Sequence, residues 1–268
     1  MHVNVQKLFD LTGKIAMVTG AGSGMGKAIA EAMGEAGAKV VCVDINEDTA
    51  KETAAYIQGI GSPAIALKAD VSKETDVQRA VEEAVNTFGG LDILFNIAGI
   101  PHLPHMLHEF PKEDWDRIIS VNLTGTFLCC KEALKVMVKH KSGKIINMSS
   151  TLGQRGSKFG KAAGMVATKG GVTVLTKDLA VGYADMGIQV NALAPGDFKT
   201  NIGAQLFKNV TYEEAKKLTF NISSEEIPMK RIGIPNEDIK GAAIFLASKA
   251  SDYVTGHILA VDGGKTAR

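Results

Sequence analysis

Three glycines near the amino terminus have the spacing of a turn that could bind a phosphate. Gly20, Gly24 and Gly26 follow the apolar run 15–18 and precede a stretch with helical apolar spacing, which Gly37 can end. Backbone N–H groups at such a helix start suit a pyrophosphate, and side chains in place of glycine would hold the phosphates away. The same glycines could also form a turn that binds nothing, so the rest of the chain must distinguish the two interpretations.

An acidic residue stands where a dinucleotide site needs one for the ribose. Asp44 ends the β-branched run 40–43 and lies 18 residues after the last of these glycines. A spacing of about 20 residues is typical of the carboxylate that takes the ribose hydroxyls of NAD. That carboxylate would repel the 2′-phosphate of NADP, and neither Ser23 nor Ile45 is an arginine that could hold it. We therefore expect NAD. Lys27 argues for NADP, although a solvated helix face also explains it.

The elements that must position these residues alternate along the chain. Short apolar runs typical of inner parallel strands are separated by helical patterns, without repeats or low-complexity segments. This alternation predicts an α/β fold with a doubly wound parallel sheet. The predicted strands lie at 15–18, 40–43, 65–69, 91–95, 144–148 and 188–193, with a final strand within 253–264.

Six short motifs follow one another in an order that resembles the short-chain dehydrogenase/reductase family. They are Thr-Gly-x-x-x-Gly-x-Gly at 19–26, Asn-Ile-Ala-Gly at 96–99, Ser-Val-Asn-Leu-Thr-Gly at 120–125, Ser-Ser-x-x-Gly at 149–153, Pro-Gly at 195–196 and the closing strand with its glycines at 253–264. The resemblance covers about residues 10–264. It implies a single Rossmann domain over 1–268 with a seven-stranded parallel sheet, helices on both faces and a substrate lid at about 197–230. It also implies an NAD-dependent oxidoreductase that interconverts a secondary alcohol and a ketone.

The resemblance also implies where the cofactor and a partner subunit would lie. The glycine turn, with Ser23 and Met25, would hold the diphosphate, and Asp44 and Ile45 would border the ribose. The other positions implied are Asp70 and Val71 at the adenine, Ala98 and Gly99 at the ribose, Asn96 as a brace to the neighbouring strand, Lys169, and Pro195, Gly196 and Thr200 at the nicotinamide. For Asp70 a turn or cap is the alternative. A homotetramer would form partly through helices around 115–139 and 166–183, although the monomer core could equally use their apolar residues.

Three polar side chains correspond to the catalytic residues of this family. Asn122 matches the active-site asparagine, Ser150 the serine that hydrogen-bonds the reacting oxygen, and Lys169 the lysine. Asn122 and Gly125 are otherwise unexplained within an apolar helical stretch from 115 to 140, where local distortion or a functional water could account for them.

Met165 stands where the family has its catalytic tyrosine. In the family that tyrosine lies four residues before the lysine, and the lysine ammonium lowers the pKa of the phenol. The phenol then exchanges a proton with the substrate. A thioether can neither give nor take a proton, and no tyrosine occurs between Tyr56 and Tyr183. Three explanations are open: the tyrosine was replaced on purpose, another group such as Lys169 through water or a loop histidine supplies the proton, or the protein binds NAD without redox turnover. A non-redox enzyme that uses bound NAD transiently is a further alternative.

Two loops supply candidate substrate contacts besides Ser150 and Met165. His102 follows a predicted strand on its carboxyl side, where loops face the cleft, although it could be a loop residue alone. Arg155, Lys158 and Lys161 occupy a stretch without acidic residues, which predicts a small substrate bearing a carboxylate, phosphate or sulfonate. A solvated loop would explain the same charges.

The composition argues against several other classes of protein. A net charge of +1 gives no electrostatic reason to expect nucleic acid or an anionic membrane as partner. No apolar run approaches the roughly 20 residues of a membrane span, and the amino terminus lacks a signal-peptide core. An odd number of cysteines without ligand spacing favours a reducing cytoplasm. Prolines interrupt the helix that would align the histidines at 102, 105 and 108, so no metal is expected. A small-molecule substrate remains the expected partner.

Overall fold

Seven parallel strands form one sheet, in the order β3-β2-β1-β4-β5-β6-β7, in the computed structural model, which describes residues 2–200 and 224–267. The order reverses direction between β1 and β4, which is the switch point where doubly wound sheets bind ligands. The predicted α/β fold is therefore confirmed. The strands are β1 (Ile15–Thr19), β2 (Lys39–Asp44), β3 (Ala64–Lys68), β4 (Ile93–Asn96), β5 (Gly143–Met148), β6 (Ile188–Pro195) and β7 (Ile258–Val261).

Helices alternate with the strands and cover both faces of the sheet. They are α1 (Val3–Phe9), α2 (Gly24–Glu35), α3 (Glu47–Gly59), α4 (Glu74–Phe88), α5 (Lys112–Ile119), α6 (Gly125–His140), α7 (Ala163–Tyr183) and α8 (Lys240–Ala247). None of the helices within 2–200 and 224–267 combines the length and apolar composition needed to cross a membrane.

Two apolar clusters pack against opposite faces of the sheet. In β1, Ala16 and Val18 belong to one cluster and Met17 to the other, and all three side chains are buried. Met33 of α2 packs in the first cluster and Val81 of α4 in the second. Because both faces of the sheet are covered, the strands are continuous apolar runs, and their positions could therefore be predicted from the sequence.

The long helical stretch predicted from 115 to 140 is interrupted in its middle. A π-helical segment, Ser120–Thr124, joins α5 to α6, and it carries the buried Asn122. Gly125 follows directly, where a Cβ would lie 2.9 Å from Val71 Cγ2. The distortion explains both residues, because a π turn displaces the asparagine from a regular helical position and only glycine fits against Val71.

The predicted lid at about 197–230 lies only partly within the described part of the chain. Residues 201–223 fall outside it. At the two ends of the segment, Phe198 and Gly233 form an isolated β-bridge, and the Lys199 amide donates to the Gly233 carbonyl at 2.8 Å. The two ends of the segment therefore lie side by side.

Candidate active site

The turn between β1 and α2 brings backbone donors together at a helix start. Gly20 has φ +68°, and a Cβ there would lie 2.9 Å from Ala98 Cα. A Cβ on Gly26 would lie 1.9 Å from the Gly20 carbonyl oxygen, so this turn can form only with glycine. Ser23 is the N-cap residue of α2, and its side chain forms no cap with the described residues. The first-turn N–H groups can therefore donate to an anion.

Asp44 lies at the carboxyl end of β2, beside this turn. Its Oδ2 accepts a hydrogen bond from the Gly22 amide at 2.8 Å, and its Oδ1 accepts one from the Asn46 amide at 2.9 Å. Two fixed donors orient the carboxylate, and its remaining lone pairs can accept from ribose hydroxyls.

A cavity of about 260 Å³ opens at the carboxyl ends of the strands around the switch point. Most of the predicted cofactor positions line it. These are Gly20, Ser23, Gly24, Met25, Gly26, Asp44, Ile45, Asp70, Val71, Ala98, Gly99 and Thr200. The structure thus brings together in one cavity residues that lie up to 180 positions apart in the sequence. The glycine cradle and the oriented carboxylate fit a dinucleotide.

Apolar residues to which the sequence assigned no role at the cofactor complete the walls of the cavity. They are Val43, Ala69, Ile97, Ile100 and Val121. Val43 and Ala69 end predicted strands, and Ile97 and Ile100 lie in the loop that follows the fourth predicted strand, so these positions were a usable signal. Apolar walls of this kind suit a planar ring such as adenine.

Asp70 combines the two roles that the sequence left open. Its Oδ1 accepts from the Ser72 amide at 3.0 Å and from the Ser72 hydroxyl at 2.6 Å, as in a turn. The residue also lines the cavity. Turn formation and a place at the nucleotide are therefore compatible.

Asn96 lies beneath the cavity rather than in its wall. It is 3% exposed, and its Nδ2 donates at 2.9 Å to the Oδ1 of Asn147, its register partner on β5. This contact agrees with the expected brace to the neighbouring strand. Thr19, which sequence reasoning left without a role, accepts hydrogen bonds from the amides of Ile97 and Ala98 at 3.0 and 3.2 Å. It thereby ties the end of β4 to β1.

Pro195 and Gly196 lie at the end of β6, outside the lining of the cavity. The Gly196 amide donates to the Val261 carbonyl at 3.0 Å, and a Cβ on Gly196 would lie 2.8 Å from Asp262 Cβ. Thr200 does line the cavity, and a Cβ on Gly24 would lie 3.5 Å from its Cβ. The chain after β6 therefore returns to the glycine turn between β1 and α2.

Asn122 is fixed by both ends of its amide. Its Oδ1 accepts from the Ile100 amide at 2.8 Å, and its Nδ2 donates to the Ile100 carbonyl at 3.0 Å. The Nδ2 also lies 3.7 Å from the sulfur of Met165. Asn122 therefore joins the loop after β4 to the residue at the expected tyrosine position.

Ser150 follows β5, and the ammonium of Lys169 reaches the last residue of that strand. The Ser150 hydroxyl oxygen accepts from the Leu152 amide at 3.1 Å, which leaves its proton free to point elsewhere. The ammonium of Lys169 donates to the Met148 carbonyl at 2.6 Å, two residues before Ser150. Lys169 is 6% exposed, and its burial lowers the pKa to about 8.

His102 is buried beside the first turn of α7. It is 3% exposed, and its Nδ1 donates to the Leu103 carbonyl at 2.5 Å. Its Nε2 accepts a longer hydrogen bond, 3.4 Å, from the Met165 amide. Burial lowers its pKa. Both ring nitrogens are thus occupied by protein groups, which does not support the predicted substrate contact.

The three basic residues of the loop after β5 have different surroundings. All three are exposed. Lys158 forms an ion pair with Glu226, and its ammonium lies 5.2 Å from the centroid of the Phe159 ring. Neither Arg155 nor Lys161 forms an ion pair with a described residue. The charge of Lys158 is therefore largely compensated, and the other two remain the better anion-binding candidates.

Comparison with known proteins identifies the family. A family model described as enoyl-(acyl carrier protein) reductase matches residues 20–266. Glucose 1-dehydrogenase 2 of Bacillus subtilis (strain 168) is 41% identical over 260 residues, which cover 96% of both chains. A crystal structure of a short-chain type dehydrogenase/reductase from Mycobacterium marinum superposes with a TM-score of 0.90 at 33% identity, over 98% of this chain and 100% of that one. This chain belongs to the short-chain dehydrogenase/reductase family.

A further short-chain dehydrogenase/reductase structure carries ligands. It is a gluconate 5-dehydrogenase from Burkholderia cenocepacia J2315 in complex with NADP and tartrate, with a TM-score of 0.87 and 36% identity over 98% of this chain and 99% of that one. The protein is therefore an oxidoreductase of this family, which uses a nicotinamide cofactor. Within the described residues, no cluster of histidine, cysteine and carboxylate side chains could hold a metal ion.

Proposed function

We propose that this protein is an NAD-dependent oxidoreductase that interconverts a small polar secondary alcohol and its ketone. The observation that carries the proposal is the oriented Asp44 carboxylate in the wall of a cavity that also contains the glycine turn. When bound there, the nicotinamide cofactor would supply or accept the hydride. Every other part of the reaction falls to side chains of this chain.

The choice of NAD over NADP rests on the residues around the ribose position. Asp44 lines the cavity beside the glycine turn, where its carboxylate would repel a 2′-phosphate, and Ile45, which is 64% exposed beside it, offers no positive charge. The NADP complex of the Burkholderia relative makes this the point to test. We expect NADH to bind at least about tenfold more tightly than NADPH, a difference of about 1.4 kcal/mol. Titration of nicotinamide fluorescence measures both affinities, and equal affinities would contradict the assignment.

The reacting oxygen would be bound by groups that the fold already holds in place. The Ser150 hydroxyl can donate to that oxygen, and the buried Lys169 ammonium stabilises negative charge as it develops. Met165 stands at the position of the family's tyrosine and cannot exchange the proton. We propose that the proton passes between the reacting oxygen and Lys169 through water, and that turnover is correspondingly slow.

For the substrate we propose a polyol or sugar acid, with a carboxylate or another anionic group as an option. The named relatives act on glucose and gluconate, and Arg155 and Lys161 offer exposed positive charge near the site. Lys161→Ala should raise the KM for an anionic substrate without changing NADH affinity. Lys158→Ala is the matched comparison, and we expect the smaller effect there because Glu226 already pairs with Lys158.

For assembly we propose a homotetramer in the cytoplasm. Helices α6 and α7 expose large apolar side chains: Phe127 is 49% exposed, Val174 66% and Val181 84%. An apolar helix face of this kind fits a contact between subunits. The cysteines at 42, 129 and 130 are buried free thiols, which fits a reducing compartment. Sedimentation equilibrium would measure the assembly.

A direct assay separates this function from its alternatives. Purified protein is incubated with NAD and a panel of hydroxy acids and polyols while the absorbance of reduced nicotinamide is followed. Turnover supports the proposal. NAD binding without turnover would support a sensor or structural protein, which Met165 favours, and product without net reduction would indicate a non-redox enzyme.

A further inference from the structure

We infer that His102 is a positioning residue for the active site: it caps the first turn of α7 and so sets where Met165 and Lys169 lie. The inference rests on the proposed function only for its kinetic readout. It concerns a histidine that neither the cofactor cavity nor the hydride-transfer residues require.

The first turn of α7 lacks the usual cap from its own chain. Its N-cap residue is Ala162, which has no side-chain acceptor. The amide of Met165, in the first turn, donates instead to Nε2 of His102 at 3.4 Å, across 63 positions of sequence. A helix start leaves such donors without helical partners, so an acceptor supplied from another loop does the work of an N-cap.

The other ring nitrogen fixes which form of the imidazole is present. Nδ1 lies 2.5 Å from the Leu103 carbonyl oxygen, which can only accept, so Nδ1 carries the proton. Nε2 therefore presents a lone pair to the helix. An imidazolium would lose this acceptor and would place positive charge at the positive end of the helix dipole.

Packing holds the ring between two helices and an aromatic side chain. A Cβ on Gly164 would lie 3.1 Å from His102 Cδ2 and 2.9 Å from Ile118 Cγ2, so the glycine leaves the space that the ring fills. The Phe110 ring packs edge-on, with its centroid 4.7 Å from that of His102. The ring therefore cannot shift without displacing α5 or α7.

The turn that His102 holds carries the side chains of the proposed reaction. The Met165 sulfur lies 3.7 Å from the Asn122 amide nitrogen, and Lys169 follows one turn later with its ammonium on the Met148 carbonyl. A shift of the first turn would move Met165 against Asn122 and would transmit strain to Lys169. A misplacement of about 1 Å can cost about 10²-fold in rate.

Groups near His102 shift its pKa in both directions. Burial lowers its pKa, His105 on the same loop acts in the same direction, and Asp114 on α5 opposes them. The backbone groups of Leu103 and of Ala162, the N-cap residue of α7, also favour the protonated form through hydrogen bonds to the ring. Since the net shift is downward, His102 is neutral at neutral pH and protonates only below its ordinary range.

The test compares His102→Leu, which removes the acceptor, with His102→Gln, which restores an amide oxygen near the Nε2 position. His105→Leu is the matched control, because His105 packs on the same Phe110 ring at 5.8 Å but lies outside the capping contact. Hydrogen exchange of the Met165 amide, NADH affinity, thermal unfolding and kcat are measured for each, with kcat followed from pH 8 down to about pH 5.

We expect His102→Leu to speed exchange of the Met165 amide and to lower kcat, each by about tenfold or more, with NADH affinity unchanged. The wild-type kcat should fall toward pH 5, because a protonated His102 no longer accepts from the Met165 amide. His102→Gln should recover most of the lost protection and kcat without this acid-side fall, and His105→Leu should resemble the wild type. Unchanged exchange in His102→Leu, or equal impairment of the leucine and glutamine variants, would overturn the inference. If exchange responds as expected while no variant or wild type turns over, the capping role stands and the proposed function fails.

Discussion

A phenol at position 165 should restore proton transfer to this active site. Met165 is partly buried, and its sulfur lies 3.7 Å from the Asn122 amide nitrogen, so a tyrosine ring at this position would lie beside Asn122. Lys169 follows four residues later on the same face of α7. Its ammonium would lower the pKa of the new phenol and prepare it to exchange a proton. Met165→Tyr is therefore expected to accelerate turnover.

The size of the effect follows from what general acid–base catalysis contributes. A positioned acid or base is worth about 10²–10⁴-fold, which corresponds to about 3–5 kcal/mol of transition-state stabilisation. The larger ring costs stability, about 1–3 kcal/mol if the site cannot adjust, but this cost applies equally to substrate-bound and transition-state forms. The rate gain and the stability loss are thus separately measurable.

The assay is NAD-linked oxidation of a confirmed substrate, with kcat and KM determined for each variant. Met165→Phe is the matched control, because it adds the ring without the hydroxyl and should not accelerate the reaction. Adding Lys169→Met to Met165→Tyr should remove most of the gain, since the phenol then loses its neighbouring ammonium. A Met165→Tyr rate equal to or below that of the wild type would refute the reasoning, and so would an equal gain with phenylalanine.

Two further predictions concern the cofactor turn and the buried lysine. Gly26→Ala should weaken NADH binding by tenfold or more, since its Cβ would lie 1.9 Å from the Gly20 carbonyl oxygen. Gly59→Ala is the control, because a Cβ there meets no atom within 4 Å, and it should leave NADH affinity unchanged in the same fluorescence titration. Burial lowers the pKa of Lys169 to about 8 from its ordinary 10.5, so the unfolded chain binds more protons between these values and stability rises with pH. Between pH 7 and 9, the free energy of unfolding of the wild type should rise by about 1 kcal/mol relative to that of Lys169→Met, measured by urea unfolding with Trp115 fluorescence. A difference between the two proteins that does not change with pH would contradict the lowered pKa.

The fold could be predicted because its signals are local. Each inner strand is buried on both faces, so it reads as an apolar run such as 40–43, and each is followed by a helical pattern. Of the cofactor positions, the glycine turn and Asp44 could be predicted from their spacing, and the others were implied by the family resemblance; most of them lie just beyond the ends of those strands. A residue such as Ala98 therefore enters the cavity through the topology of the sheet alone.

The remaining features depend on contacts between distant segments. The π-helical segment around Asn122 looks like ordinary helix in periodicity, because the displaced hydrogen bonds leave no mark on residue spacing. The ion pair of Lys158 joins it to Glu226 across 68 positions. The burial of His102 likewise depends on α7 packing over its loop. Charge and loop position alone predicted a substrate contact for each of these two side chains.

The buried ammonium of Lys169 bears on whether the protein retains catalytic chemistry. Lowering its pKa to about 8 corresponds to an energetic cost of about 3 kcal/mol for the charged form at neutral pH, which a methionine in its place would not carry. Two uses could balance that cost: holding the cofactor, or stabilising negative charge on the reacting oxygen. Lys169→Met separates them, because loss of cofactor binding weakens NADH affinity, whereas loss of charge stabilisation lowers kcat at saturating NAD. We expect the larger loss in kcat, since the ammonium donates to the Met148 carbonyl, two residues before Ser150, and lies outside the lining of the nucleotide cavity. A variant that lost NADH affinity and kept its kcat would instead place Lys169 in cofactor binding alone.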